Sequence, residues 1–267
     1  MPEPQFGFDA FSPKEVAERV ETAGVAKARL PLAPMALLAV LGGVYIGLGA
    51  LLFLLVTSDA ALSFAAGRVL GGLVFSLGLL TVVVAGAELF TGNHLLAMAW
   101  ADGRLRSAEV LRNWAVVGLG NLAGALLLAW AVHAAGLGAL NDGRLAQQAL
   151  KVATAKAALP WDEALWRGVL CNVLVCLAVW MAAAGRSVAD KAVAVVPPVA
   201  AFVALGFEHS VANLFFFPLA ALLHPGAAPG LGAALANLLP VIAGNLLGGS
   251  VLVALVYWVI YRRGAAR

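Results

Sequence analysis

The stretch of sequence that decides the fold is GFEHSVAN, residues 206–213, in the middle of a long apolar segment. Glu208 and His209 are the only charged or titratable residues between Lys191 and His224. An ionisable side chain at membrane depth is costly, so it is kept mainly where it lines a water-filled cavity or carries function. We therefore predict that His209 lies at a functional site.

The charged residues of the chain are few and unevenly placed. Of the 267 residues, 63% are hydrophobic and 12% are charged, about half the charged fraction of a soluble domain. Residues 30–58, 113–141, 168–185 and 209–261 contain no Asp, Glu, Lys or Arg. A membrane-spanning helix needs about 20 apolar residues. We predict an all-α integral membrane protein with six spans, near residues 34–57, 69–100, 114–137, 165–184, 192–223 and 234–261.

Two pairs of short segments indicate an internal repeat. GAELFTGN (86–93) matches GFEHSVAN (206–213) at a displacement of 120, and GNLAG (120–124) matches GNLLG (244–248) at a displacement of 124. Spans one to three therefore resemble spans four to six. Because three is odd, the second half enters the membrane in the opposite sense. Such an inverted 3+3 repeat places its substrate site near the midplane, between the halves.

The second and fifth predicted spans are each too long for one straight crossing. Each carries Gly, Glu and Asn near its centre, which predicts two half-helices joined by an unwound segment. Irregular backbone at this depth is tolerated where it is buried in protein or lines a cavity. Half-helix N-termini that point inward suit an anion.

Lysine and arginine predict the topology. Twelve of these residues fall on the side of the termini and five on the opposite side, so the positive-inside rule places both termini in the cytoplasm. We expect an N-terminal segment (1–29) with an amphipathic helix near 13–28 and no signal peptide. A transport domain (30–262, with repeats about 30–140 and 160–262) and a short tail (263–267) would follow. The basic charge then reflects topology, and nucleic-acid binding is not expected.

Several polar residues have a structural interpretation beside the functional one. Glu88 and Glu208, with Asn93 and Asn213, are predicted to anchor the unwound segments, because an uncompensated carboxylate would repel an anion. Asn121 and Asn245 fit interhelical hydrogen bonding and pore lining equally well. A purely structural role for His209 stays open. His94 is expected at the interface. Cys171 and Cys176 predict neither a disulfide nor a metal site.

Four segments resemble the formate/nitrite transporter family. They are FTGN (90–93), RGVLCNVLVCLAVWMA (167–182), GRSVADK (185–191) and GFEHSVANLFFFP (206–218), and the resemblance runs from about Phe11 to Arg262. It implies a pentamer of six-span, aquaporin-like protomers in the bacterial inner membrane, each with its own pore and no cofactor.

The resemblance also implies roles for individual residues. His209 corresponds to the central pore histidine, Thr91 to the threonine that faces it, and Lys156 to a lysine that attracts anions into the vestibule. Asn172 and Asn245 correspond to asparagines near the pore. The apolar slits that close such a pore above and below the histidine correspond to Phe75, Leu79, Leu89, Phe90, Val175 and Phe202.

Two mechanisms and three substrates remain open at this level. His209 could donate a proton that neutralises the anion before it crosses an apolar slit, or it could hydrogen-bond an ion that passes charged. The family transports formate, nitrite and hydrosulfide, all small monovalent anions. Gly92 favours the nitrite or mixed branches, whereas GRSVADK and YWVIY (257–261) favour formate, which we predict as the substrate.

Two other classes of protein fit the sequence less well. An intramembrane metalloprotease would need an HExxH-type pair and a third ligand, and the four histidines lack that spacing. A pore for neutral solutes fits the broken inverted repeat. However, the NPA signatures of aquaporins are absent, since His94 and Leu214 follow Asn93 and Asn213. We therefore predict a transporter and not an enzyme.

Overall fold

The computed structural model describes residues 10–264, and within that range it contains helices, turns and loops but no strand. In chain order the helices are α1 (Pro13–Ala28), α2 (Leu32–Thr57), α3 (Phe64–Gly86), α4 (Leu96–Ala101), α5 (Ser107–Ala134), α6 (Arg144–Ala157), α7 (Trp161–Ala184), α8 (Val188–Ala204), α9 (Ser210–Leu223) and α10 (Leu231–Tyr261). The predicted tail beyond residue 264 and the start of the predicted N-terminal segment lie outside the described residues.

Five of these helices, α2, α3, α5, α7 and α10, are long and apolar enough to cross a membrane. Four of them coincide with predicted spans, and α3 covers the first part of the predicted second span. The all-helical class is confirmed. The region of the predicted fifth span holds two shorter helices, α8 with 17 residues and α9 with 14. The second predicted span is also divided, because α3 ends at Gly86 and a single 3₁₀ turn, Gly92–Leu95, leads into α4.

Glycine allows the long helices to pack backbone to backbone. A Cβ on Gly124 of α5 would clash with the carbonyl oxygen of Val40 on α2, and a Cβ on Gly248 of α10 would clash with that of Val169 on α7. Small residues at such crossings permit the close approach that holds membrane helices together. The glycines of GNLAG and GNLLG therefore perform equivalent packing tasks at the two α2/α5 and α7/α10 crossings.

The N-terminal helix α1 packs on the bundle. It begins at a capping box in which Ser12 and Glu15 bond reciprocally, and the hydrogen bonds from Ser12 hold the pKa of Glu15 below its usual value. Glu21 of α1 is fully buried between Arg104 (3.1 Å) and Arg262 (2.7 Å). These ion pairs tie α1 to the loop after α4 and to the end of α10.

Helix α6 was not predicted from the sequence. Its 14 residues contain charges and amides, so the segment did not stand out as apolar. Leu145, Ala149 and Ala153 form a buried stripe at a spacing of four residues, which packs α6 mainly against α9. The helix thereby brings Lys156 to the bundle.

Candidate functional site

Both divided segments break at a glycine in the left-handed region of backbone space. Gly86 ends α3 with φ +85°, and Gly206 follows α8 with φ +74°. Side-chain-bearing residues avoid this region, whereas glycine enters it without steric cost. The chain then runs in an extended conformation at Ala87 (φ −151°) and at His209 (φ −106°) before the next helical turn begins.

A polar cluster, here the Lys27 cluster, holds the first break. Lys27 Nζ donates to Glu88 Oε1 (2.8 Å), and Asn93 Nδ2 donates to Glu88 Oε2 (2.6 Å). Asn93 Nδ2 also donates to Asn113 Oδ1 (2.9 Å), whose Nδ2 donates to the Lys27 carbonyl (3.3 Å). Asn121 Nδ2 donates to the Glu88 carbonyl (2.9 Å). The buried carboxylate is thus fully partnered.

A second cluster, the Lys156 cluster, holds the other break through matching bonds. Lys156 Nζ donates to Glu208 Oε1 (2.8 Å), and Asn213 Nδ2 donates to Glu208 Oε2 (2.7 Å). Asn213 Nδ2 also donates to Asn237 Oδ1 (2.8 Å), whose Nδ2 donates to the Lys156 carbonyl (2.9 Å). Asn245 Nδ2 donates to the Glu208 carbonyl (2.9 Å).

The two clusters show which side chains the two glutamates of the interrupted segments contact. Glu88 and Glu208 both lie in the breaks between helices, and each carboxylate accepts a hydrogen bond from an asparagine five residues later. Sequence reasoning missed Asn113 and Asn237 as their partners. These two residues are displaced by 124, the same displacement as GNLAG and GNLLG, so extending the repeat along the chain would have found them.

His209 lies at the N-cap of α9 and is only 3% exposed. Its Nδ1 accepts the backbone N–H of Ala212 (3.1 Å), and its Nε2 lies 3.0 Å from Thr91 Oγ1. A neutral imidazole has one donor and one acceptor nitrogen, so the proton belongs on Nε2, which faces Thr91. The ring also stacks on Phe202, with centroids 5.8 Å apart and planes 14° apart.

Asn172 and Asn245 lie behind this contact. Neither residue borders the cavity next to His209 or the cavity beside α1. Asn172 Nδ2 donates to the carbonyls of Thr91 (3.2 Å) and Asn245 (2.6 Å). Asn245 Oδ1 accepts the backbone N–H of Ser210 (3.0 Å). Both amides are fully buried, so their observed contacts position the backbone on either side of Thr91 and His209.

Two cavities lie near the Thr91–His209 contact: one is bordered by His209, and the other by Leu89 and Gly92, which flank Thr91 in the chain. The first, the Lys156 cavity, has a volume of about 190 Å³ and is bordered by Phe75, Phe202, His209 and Lys156. The second, the Lys27 cavity, lies beside α1, has a volume of about 400 Å³ and is bordered by Leu79, Leu89, Gly92 and Lys27.

Of the six residues assigned to the slits by resemblance, four border these cavities, whereas Val175 and Phe90 border neither. Phe75 and Phe202 meet edge to face, with centroids 5.8 Å apart, on the Lys156 side. Leu79 and Leu89 border the Lys27 side, and both are 2% exposed. Val175 is buried in the apolar core that also contains these four residues. Phe90 packs on His94, with ring centroids 4.7 Å apart.

The expectation that His94 lies at the interface was wrong. Its side chain is fully buried, packed between Phe90 and Trp114, with Nδ1 2.7 Å from Asn172 Nδ2. The residue follows the break directly, and the 3₁₀ turn carries it inward.

Within residues 10–264, no group of three His, Cys, Asp or Glu side chains could hold a metal ion.

The fold and the site define a multi-pass helical membrane protein in which two interrupted segments meet at a buried contact between a threonine and a histidine. The sequence profile of the Formate/nitrite transporter family matches residues 14–259. The chain belongs to this family.

Known relatives agree with this assignment. The chain is 38% identical to the formate channel FocA of Escherichia coli over 274 residues, covering 96% of both chains. It is 37% identical to the uncharacterized transporter YrhG of Bacillus subtilis, covering 94% of both. Among solved structures it resembles a pentameric formate channel with formate bound (TM-score 0.80, 35% identity, 86% of this chain and 97% of that one). It also resembles an FNT family ion channel (TM-score 0.84, 31% identity, 92% and 98%).

Proposed function

We propose that the protein conducts small monovalent anions of weak acids across the bacterial inner membrane, with formate as the main substrate. The observation that carries this proposal is the buried Thr91–His209 contact, 3.0 Å long. His209 borders one cavity with a basic border, and Leu89 and Gly92, close to Thr91 in the chain, border the other. The names of the relatives support formate, since one is a formate channel and a similar solved structure has formate bound.

The architecture that we propose is a six-span, aquaporin-like inverted repeat. α3 with α4 form the second span, and α8 with α9 form the fifth. The support is the five corresponding hydrogen bonds of the Lys27 and Lys156 clusters, with residues displaced by 120 at Glu88/Glu208 and by 124 at Asn121/Asn245. Residues 30–262 would form the transport domain, with repeats about 30–140 and 160–262, preceded by a cytoplasmic segment and followed by a cytoplasmic tail.

The assembly that we propose is a homopentamer. The similar solved formate channel is a pentamer, and this chain exposes large apolar side chains on its long helices, such as Leu119 (69%) and Leu239 (64%). Contacts with lipid and with neighbouring protomers would cover them. The mass of the detergent-solubilised complex, set against the 27.3 kDa chain, measures this directly.

The proposed mechanism follows from the geometry of His209. Because Nδ1 accepts the N–H of Ala212, a second ring proton would remove a hydrogen bond from the cap of α9. The resting ring is therefore neutral and offers Nε2–H to an anion. Moving a carboxylate into an apolar slit disfavours its charged form. The formate ion bonded to His209 and Thr91 therefore takes up a proton from hydronium in the vestibule, which becomes water, and crosses the slit as the neutral acid.

The function is tested by uptake into reconstituted liposomes of labelled formate, nitrite and hydrosulfide at two pH values. We expect formate uptake to exceed that of the other anions and to rise when the outside is acidified. Liposome swelling with glycerol or water tests the alternative of a neutral-solute pore. Rapid swelling without anion uptake would overturn the proposal.

Replacing Thr91 by valine is expected to lower formate uptake by about tenfold, the effect of one lost hydrogen bond at a buried polar group. Valine has nearly the shape of threonine but lacks Oγ1, the partner of His209 Nε2. Threonine to serine at the same position keeps the hydroxyl and serves as the control. Equal uptake by the valine and serine variants would show that the hydroxyl has no role.

A further inference from the structure

The Lys156 cavity carries two arginines that the proposed function does not yet use. Its charged border consists of Arg68, Lys156, Arg167 and Glu208. Lys156 and Glu208 neutralise each other at 2.8 Å, and both are largely buried (14% and 4% exposed). The remaining charge at this cavity therefore comes from Arg68 and Arg167.

The guanidinium of Arg68 is held in place by backbone. Its Nε donates to the Ala204 carbonyl (2.8 Å) and its Nη2 to the Val203 carbonyl (3.0 Å). Both oxygens belong to the last turn of α8, the negative end of the helix. Gly206 allows this position, because a Cβ there would lie 2.6 Å from Arg68 Nη2.

Fixing Arg68 leaves it ready to bind an anion. A guanidinium has five N–H donors, and two are used by the α8 carbonyls. The other three have no acceptor among residues 10–264, and the side chain borders the cavity that includes His209. A planar fork of donors suits a carboxylate, which it can bind through two parallel hydrogen bonds. Because the fork is already ordered, binding costs little side-chain entropy.

Arg167 adds a second positive charge that is only weakly compensated. Its Nη2 lies 2.8 Å from Glu163, four residues earlier on α7. These side chains are 41% and 50% exposed, and a surface pair of this kind is weak. Of the two, Arg167 borders the cavity and Glu163 does not. An entering anion therefore meets a net positive charge at this cavity, and removing the charge of Glu163 would increase it.

We propose that Arg68, assisted by Arg167, forms an anion-binding site in the Lys156 cavity that captures a small carboxylate before it reaches His209. This inference rests on the proposed transport function and adds a specific recruiting site to it. In the proposed topology the site faces the outside, so it governs the concentration dependence of uptake more than the maximal rate.

The test is the initial rate of labelled formate uptake into cells that lack their own formate transporters, measured against external formate concentration. We expect Arg68→Gln and Arg167→Gln each to raise KM by about fivefold, the scale of one unit charge near 4 Å in water, with Vmax nearly unchanged. Glu163→Gln is expected to lower KM slightly, because it removes a negative charge beside Arg167. Arg68→Lys, which keeps the charge without the fork, is expected between wild type and Arg68→Gln.

The control is Arg144→Gln, which removes a charge from an exposed residue at the start of α6 that does not border the cavity. Its KM should equal that of wild type. A change in protein amount is excluded by quantifying each variant in the membrane. An unchanged KM for Arg68→Gln, or shifts of the same sign for Arg167→Gln and Glu163→Gln, would overturn the recruiting site while leaving formate transport intact. Failure of the wild type to take up formate would instead contradict the proposed function.

Discussion

Replacing His209 by phenylalanine is expected to reduce formate uptake by about 100-fold, because a buried hydrogen bond to a charged group contributes about 1.5–3 kcal/mol. Phenylalanine preserves the stacking area against Phe202 but removes both ring nitrogens. The anion then meets an apolar wall where Nε2–H had been. Uptake of labelled formate into liposomes, normalised to reconstituted protein, measures the loss.

Asparagine at position 209 is the matched variant. Asparagine is among the best N-cap residues, so its side-chain oxygen can accept the Ala212 N–H that His209 Nδ1 accepts now. Its amide can still donate a hydrogen bond, but it does not titrate. We expect His209→Asn to keep measurable uptake that still rises on acidification. Uptake that loses its pH dependence in this variant would instead identify His209 as the proton donor.

Sequence reasoning was most successful where composition sets the structure. Charge-free blocks placed the long helices because the bilayer fixes their length and polarity. Gly86 and Gly206 located the interruptions because glycine readily supplies the left-handed backbone that each break uses. By contrast, the separation of the predicted fifth span into two short helices needed the structure, since the apolar pattern runs through the break.

Long-range polar contacts were the part that sequence did not supply. Lys27 had been counted with the charges that set topology, yet its Nζ reaches Glu88, 61 residues away. His94 had been expected near the interface, and its burial depends on the 3₁₀ turn that follows Thr91. Each of these contacts joins elements far apart in the chain, so local periodicity carries no signal for it. Comparison of the two repeats is the source of information that could have paired them.

Replacing Lys156 by methionine is expected to destabilise the protein strongly, by about 3–5 kcal/mol, the cost of removing one partner from a buried ion pair. Glu208 would keep its bond from Asn213 but lose its counter-charge while staying 4% exposed. The loss should appear as a lower unfolding temperature of the detergent-solubilised protein. The double variant Lys156→Met with Glu208→Gln removes both charges, and it should recover most of the stability, because a neutral pair has no buried charge to compensate.

The Lys27 cluster contains the same kind of ion pair with a more exposed lysine, so comparing the two clusters measures how burial affects the strength of the pair. Lys27 and Glu88 are also 2.8 Å apart, but the lysine is 36% exposed, against 14% for Lys156. Glu88 is as buried as Glu208 (4% exposed each), but water at the more exposed lysine can replace Lys27 in part. Lys27→Met should therefore cost about 2 kcal/mol, less than Lys156→Met. Equal losses for the two methionine variants would mean that burial does not set the strength of these pairs. A double variant at Lys156 and Glu208 that stays as unstable as the single one would mean that the pair also holds the break between α8 and α9 through its hydrogen bonds.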